Sequence, residues 1–104
     1  MATATIAGQE VQINEEGFLT NPAEWTREIG AELAKNIGVE MTDEHWALIQ
    51  WLRSDFSEKG ETATTRRVQT VGGFPTKKQF ELFPKKPAKK MSYVAGLPKP
   101  HGCV

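Results

Sequence analysis

The sequence predicts a mainly α fold: a small orthogonal helical domain with a short amino-terminal β-hairpin, a helix-turn-helix-like segment and a flexible carboxy-terminal arm. Three observations carry that expectation. Apolar residues recur at spacings of three and four behind two N-capping sequences, at Asn21 and Thr42. Alternation of apolar and polar residues is confined to Thr5–Ile13. The last eleven residues, Val94 to Val104, are broken up by Gly96, Pro98, Pro100 and Gly102, a pattern that forms neither helix nor ladder. With 104 residues and 38% apolar content, the chain fits one domain over 1–104 with a modest core, and 94–104 as its arm.

The elements follow in order. Thr5 to Ile13 alternates around Gly8 and predicts an accessory hairpin. Asn21-Pro22-Ala23-Glu24 supplies an N-cap, a proline at the first helical position and an acid at N3. A helix is therefore expected from Pro22, with Trp25, Ile29 and Leu33 in one stripe and Gly38 ending it. Thr42-Asp43-Glu44 starts a second helix, its two acids suited to the positive end of the helix dipole. Trp46, Ile49, Leu52 and Phe56, flanked by Leu48 and Trp51, give it a wide apolar face up to about Ser57, and Gly60 stops it. Thr62 to Val71 predicts a short helix broken by Gly72-Gly73. Thr76-Lys77-Lys78-Gln79 is a capping-box sequence opening another helix that runs to about Phe83, before Pro84. Pro84 to Lys90 reads as a basic linker, either a solvated loop or a short helix after Pro87.

Helix, glycine turn and basic helix is the outline of a helix-turn-helix, yet a recognition helix needs several polar side chains aimed at base edges. Only Lys77, Lys78, Gln79 and Glu81 stand among Phe80, Leu82 and Phe83. Nucleic acid as a partner is weakly supported. Trp25, Trp46 and Trp51 at helical positions read as core and not as a cofactor box. His45, in the first turn of its helix, reads as structural or surface histidine in preference to a catalytic base.

The net charge of zero hides an asymmetry. Residues 1–61 hold four cations against twelve acids, a net of −8, and residues 62–104 hold nine cations against Glu81 alone, a net of +8. Such halves attract each other within a fold. A basic half also suits an acidic partner, RNA or an anionic substrate, and Arg66, Arg67, Lys77, Lys78, Lys85, Lys86, Lys89 and Lys90 are the candidate partner-binding residues. No apolar run approaches the roughly 20 residues that span a bilayer, and the start lacks the regions of a secretory signal. The expectation is a cytoplasmic protein without a membrane partner. No GxxxxGK[ST], HExxH or GxSxG pattern occurs, and the two histidines stand far apart, so neither a metal nor a cofactor is expected.

One cysteine, Cys103, excludes an internal disulfide or a CxxC site. A lone cysteine is usually a small buried hydrophobe. This one lies outside any apolar periodic segment, on a tail of Gly and Pro, where it is placed for presentation to another molecule. The thiolate is the nucleophile, and an ordinary cysteine with a pKa of about 8.5 is mostly protonated at neutral pH. His101 and Lys99, close in sequence, would favour the thiolate when positive, while the Val104 carboxylate opposes them.

The ending Ala95-Gly96-Leu97-Pro98-Lys99-Pro100, followed by Gly102-Cys103-Val104, resembles the terminal signature of the DsrC/TusE family of sulfur-carrier proteins. Phe18-Leu19, Glu44-His45-Trp46, Leu52-Arg53, Leu82-Phe83-Pro84 and Pro87-Ala88-Lys89 fall in the family's order, so the resemblance runs from about Gly8 to Val104. It implies that the penultimate cysteine, here Cys103, carries sulfur as a persulfide or links to a partner in a relay complex. It also implies partners that dock the arm, either sulfur-relay or sulfite-reductase-like proteins. Two departures matter. Members that serve dissimilatory sulfite reductase carry a second cysteine eleven residues earlier, where this chain has Ser92, which favours the one-cysteine branch that includes relay towards tRNA thiolation. The stretch between Thr62 and Phe80 is shorter than the family pattern and contains Gly72-Gly73. The resemblance thus implies a sulfurtransferase acting as a protein sulfur carrier. The alternative is a regulatory or interaction protein of the same family that senses sulfur or redox state through Cys103.

Overall fold

The structure is a computed structural model that describes residues 2–100. Strands β1 (Ala2–Ile6) and β2 (Gln9–Ile13) pair antiparallel, with Ala2 opposite Ile13 and Ile6 opposite Gln9. Ala7 and Gly8, at φ 52° and 79°, make the two-residue turn whose twist matches that of the strands it joins. The hairpin starts earlier than the sequence pattern suggests, because Ala2 to Ala4 pair without contributing large apolar side chains. Val11 is buried, and with Leu19, Ile29 and Leu33 it forms a small apolar cluster that seats the hairpin on the first α-helix.

The helix expected from Pro22 is divided. Pro22–Glu24 is one 3-10 turn, capped by the Asn21 side chain. Trp25 is then extended, and a new cap, Thr26, accepts from the Ile29 N–H to open α1 (Arg27–Asn36). The Glu24 carboxylate does not reach back to the cap; it accepts from the Gln12 N–H of β2 at 2.9 Å. Tertiary pairing has taken the acid on which the capping box depends.

Helix α2 (Asp43–Lys59) is central, and Leu48, Ile49 and Leu52 are buried in the main core with Val68, Phe83, Met91 and Val94. Gly60 ends it at φ 75°. His45 proves structural. Its Nε2 lies 2.7 Å from Leu82 O, which can only accept, so Nε2 carries the hydrogen and Nδ1 accepts from the Thr42 N–H at 3.1 Å. The ring stands edge-on to Phe83, 5.1 Å between centroids.

Helices α3 (Thr65–Thr70) and α4 (Thr76–Leu82) pack together across the Gly72-Gly73 turn. The capping box expected at Thr76–Gln79 is not formed. Pro75 is the cap, the Thr76 hydroxyl donates to Gln69 Oε1, and the buried Gln79 amide donates to Thr65 O and Phe74 O. These polar groups tie α4 to α3 and the turn. Val68 and Phe83, both fully buried, pack the pair against the core. The basic linker becomes α5 (Pro87–Val94), with Pro87 at the first position, where its missing donor costs nothing. Among the described residues no helix is long and apolar enough to cross a membrane.

An ion pair with its carboxylate end buried joins α2 to α3. Asp55, with its side chain 5% exposed, takes Arg67 in a fork, Nε to Oδ2 at 3.0 Å and Nη2 to Oδ1 at 2.6 Å. Arg67 holds the Asp55 carboxyl below the usual carboxylate range, and Asp55 raises Arg67 in turn. A carboxylate with a depressed folded pKa stabilises above its unfolded value of about 4 and loses that contribution as pH falls through the folded value. Asp55→Asn should therefore cost about 2 kcal/mol at pH 7. Urea denaturation should find that difference shrinking below about pH 4, and a cost that persists at lower pH would mean the charge is irrelevant.

Candidate functional site

Any chemistry at Cys103 depends on how the chain leading to it leaves the body. Helix α5 ends at Val94, and the backbone turns at Gly96, where φ is 70° and the N–H of Leu97 returns to Ser92 O at 3.1 Å. Three side chains from other elements hold this root. The Trp25 Nε1–H donates to Val94 O at 2.8 Å, Arg53 Nη1 donates to Ala95 O at 2.7 Å, and Thr62 Oγ1 donates to Pro98 O at 2.7 Å. Arg53 also donates through Nη2 to Pro22 O at 2.9 Å, and its guanidinium lies 4.3 Å above the Trp25 ring. Burial pulls the Arg53 pKa below its ordinary value.

Gly96 is required twice over. Its left-handed backbone disfavours any side chain, and a Cβ there would fall within the Trp25 ring's own envelope. Gly30, on the other side, admits the same ring, for a Cβ there would lie 2.8 Å from Trp25 Cζ2. The indole is thus gripped between α1 and the root, beneath a cation.

Of the arm expected over 94–104, residues 94–97 pack against the body. Val94, Ala95 and Leu97 are buried in the main core, because their apolar side chains gain more from burial than the helix break at Gly96 costs. Cys103 and His101 lie outside the described residues. Lys99 is exposed and lies 3.4 Å from Glu16, which also meets Lys89 of α5 at 3.7 Å. Ser92, at the position of the family's second cysteine, is fully buried, and its hydroxyl donates to Ala88 O within α5.

The basic candidates divide into two groups. Arg67 already pairs with Asp55 through the fork described above, and its side chain is 34% exposed. Lys78 pairs with Glu44 at 3.0 Å and with Glu81, which raises its pKa. Lys90 donates to Pro84 O. Arg66, Lys77, Lys85 and Lys86 are exposed, and the last two adopt φ of 62° and 54°, uncommon for side chains of this size. The burial of Gln79 removes one of the few polar groups that a DNA-reading helix would need. Sequence reasoning missed Thr62 and Glu16 altogether. It placed Trp25 in the core without the hydrogen bond that makes it specific; the adjacent Leu52-Arg53 match was the available signal.

Comparison with known proteins bears on the fold and the family. A family model described as DsrC like protein matches residues 5–104. The sulfurtransferase TusE of Photorhabdus laumondii subsp. laumondii is 32% identical over an alignment of 111 residues that covers 100% of both chains. The NMR structure of Allochromatium vinosum DsrC superposes with a TM-score of 0.84 at 35% identity, covering 98% of this chain and 97% of that one. The oxidized gamma-subunit of the dissimilatory sulfite reductase (DsrC) from Archaeoglobus fulgidus gives a TM-score of 0.79 at 33% identity, covering 99% of this chain and 100% of that one.

The grip on the root is open to a direct test. Gly96→Ala should lower stability by about 3 kcal/mol, from the left-handed backbone and the overlap with Trp25 together. Trp25→Phe should cost about 1 to 2 kcal/mol by leaving the Val94 carbonyl without its donor. Thermal denaturation followed by circular dichroism checks both, and a neutral Gly96→Ala would show that the root is not held as described.

Proposed function

The chain belongs to the DsrC-like family, and from that premise we propose that it carries sulfane sulfur as a persulfide on Cys103, handing it between partner proteins. The observation that bears most weight is that the family match extends to residue 104, and so includes Cys103 at the penultimate position. The Cys103 thiolate attacks the terminal sulfur of a donor persulfide; a new sulfur–sulfur bond forms at Cys103, the donor's bond breaks, and the donor leaves as a thiolate. Oxidation states balance without an external oxidant. The reverse exchange delivers the sulfur to an acceptor thiolate.

Lys99, four residues before Cys103 in the sequence, brings a positive charge that it shares with Glu16, and His101 is the second accessory candidate. Ser92 cannot form a sulfur–sulfur bond, so a loaded Cys103 finds no second cysteine in this chain and passes its cargo to a partner. This favours a relay of the TusE type, with tRNA thiolation as one destination, over work with a sulfite reductase. The exposed Arg66, Lys77, Lys85 and Lys86 steer partners of the sulfur-relay class, and the reducing cytoplasm suits a lone thiol.

Incubation with a low-molecular-weight persulfide donor, followed by intact-mass measurement, should add one sulfur to the wild type and none to Cys103→Ser. Equal loading of the variant would sink the carrier reading. Steering makes a separate prediction: replacing Lys77, Lys85 and Lys86 with Gln should slow sulfur transfer to a partner about tenfold at low ionic strength and much less at 0.5 M salt, where screening has removed most of the attraction.

A further inference from the structure

A groove of about 440 Å³ lies between α2 and the start of α1, bordered by Trp25, Arg27, Trp46, Gln50, Arg53 and Ser54 among others. Its lining departs from the charge of the sequence stretch that supplies it. Residues 1–61 hold twelve acids and four cations, yet two of those cations, and none of the acids, line the groove. Each guanidinium lies over an indole, Arg27 over Trp46 and Arg53 over Trp25, both 4.3 Å from the ring centroid.

Stacking holds a guanidinium flat and leaves its N–H edge available for a carboxylate. Arg53 has spent two donors on Ala95 O and Pro22 O. Arg27 is exposed and has no ion-pair partner among the described residues. Trp and Arg are also the residues that dominate binding energy where proteins meet. The groove shares Trp25 and Arg53 with the root of the tail, so whatever docks there touches the side chains that aim the chain towards Cys103.

We propose that this groove receives an acidic segment of the protein that exchanges sulfur with Cys103, one carboxylate taking the edge of Arg27 and a neighbouring apolar side chain lying on Trp46. The proposal rests on the carrier reading above. A polyanion such as RNA fits less well, because two cations set in a half of net charge −8 suit one or two carboxylates and repel a long phosphate chain.

The test uses the full chain and a synthetic peptide, acetyl-Leu-Glu-Glu-Leu-amide, followed through the three indole N–H signals in NMR. Saturable shifts at Trp25 and Trp46 are expected, with Trp51, which packs beside Gly72, acting as an internal control that stays still. Arg27→Gln should weaken binding about tenfold, the worth of one charge-assisted pair, and Arg27→Lys should recover part of it. The proposal is overturned by no saturation at millimolar peptide, by shifts confined to α3, α4 and α5, by wild-type affinity in Arg27→Gln, or by tighter groove binding of an RNA oligonucleotide or of the Lys-for-Glu peptide. Persulfide loading of the wild-type protein separates the two readings: failure there removes sulfur exchange, whereas failure of the titration removes only the groove.

Discussion

The indole of Trp25 is the contact on which the rest of this structure depends. It touches both apolar clusters, the large one around α2 and the small one beneath the hairpin. Its buried N–H needs an acceptor and finds one in Val94 O, 69 residues away. Its face needs a neighbour and finds the Arg53 guanidinium; its two edges need room and find glycines at 30 and 96. Segments that share no secondary structure are thereby brought to one point. The extended backbone at Trp25, which interrupts what would otherwise be a longer first helix, is the local cost of that placement.

Charge performs a second, weaker joining. Arg67 with Asp55, Lys78 with Glu44, and both Lys89 and Lys99 with Glu16 each link the basic half to the acidic half. The separation of charge along the sequence is thus partly spent inside the fold. Only the first of these pairs has a buried partner, Asp55; the others join exposed side chains that solvent screens, and act more as alignment than as adhesive. The cations left over on α3, α4 and the loop before α5 give the surface its basic side.

Local signals were most legible where nothing distant competed for them. Thr42, the apolar face of α2 and Gly60 set that helix almost to the residue. Pro87 opened α5, one of the two readings the basic stretch allowed. Illegible were the groups recruited by tertiary partners: Glu24 taken by Gln12, Gln79 taken by Thr65 and Phe74, Val94 to Leu97 drawn into the core. In each case a residue with a valid local role met a stronger distant one. The candidate site divides in the same way. The terminal signature around Cys103 could be read from a linear string, whereas the Trp25, Arg53 and Thr62 donors that hold the chain before it could not, because they come from three separate elements.

Those donors change what the tail can do. An arm released at Val94 could carry Cys103, nine residues on, as far as about 32 Å at full extension. The last of the three bonds holds Pro98, five residues before Cys103, which limits the reach from that anchor to about 18 Å. A shorter tether raises the effective concentration of the thiol at any partner that sits against the body, and denies it to one that does not. On the carrier reading proposed above, such a tether would favour a partner that docks on surfaces beside the root before it exchanges sulfur.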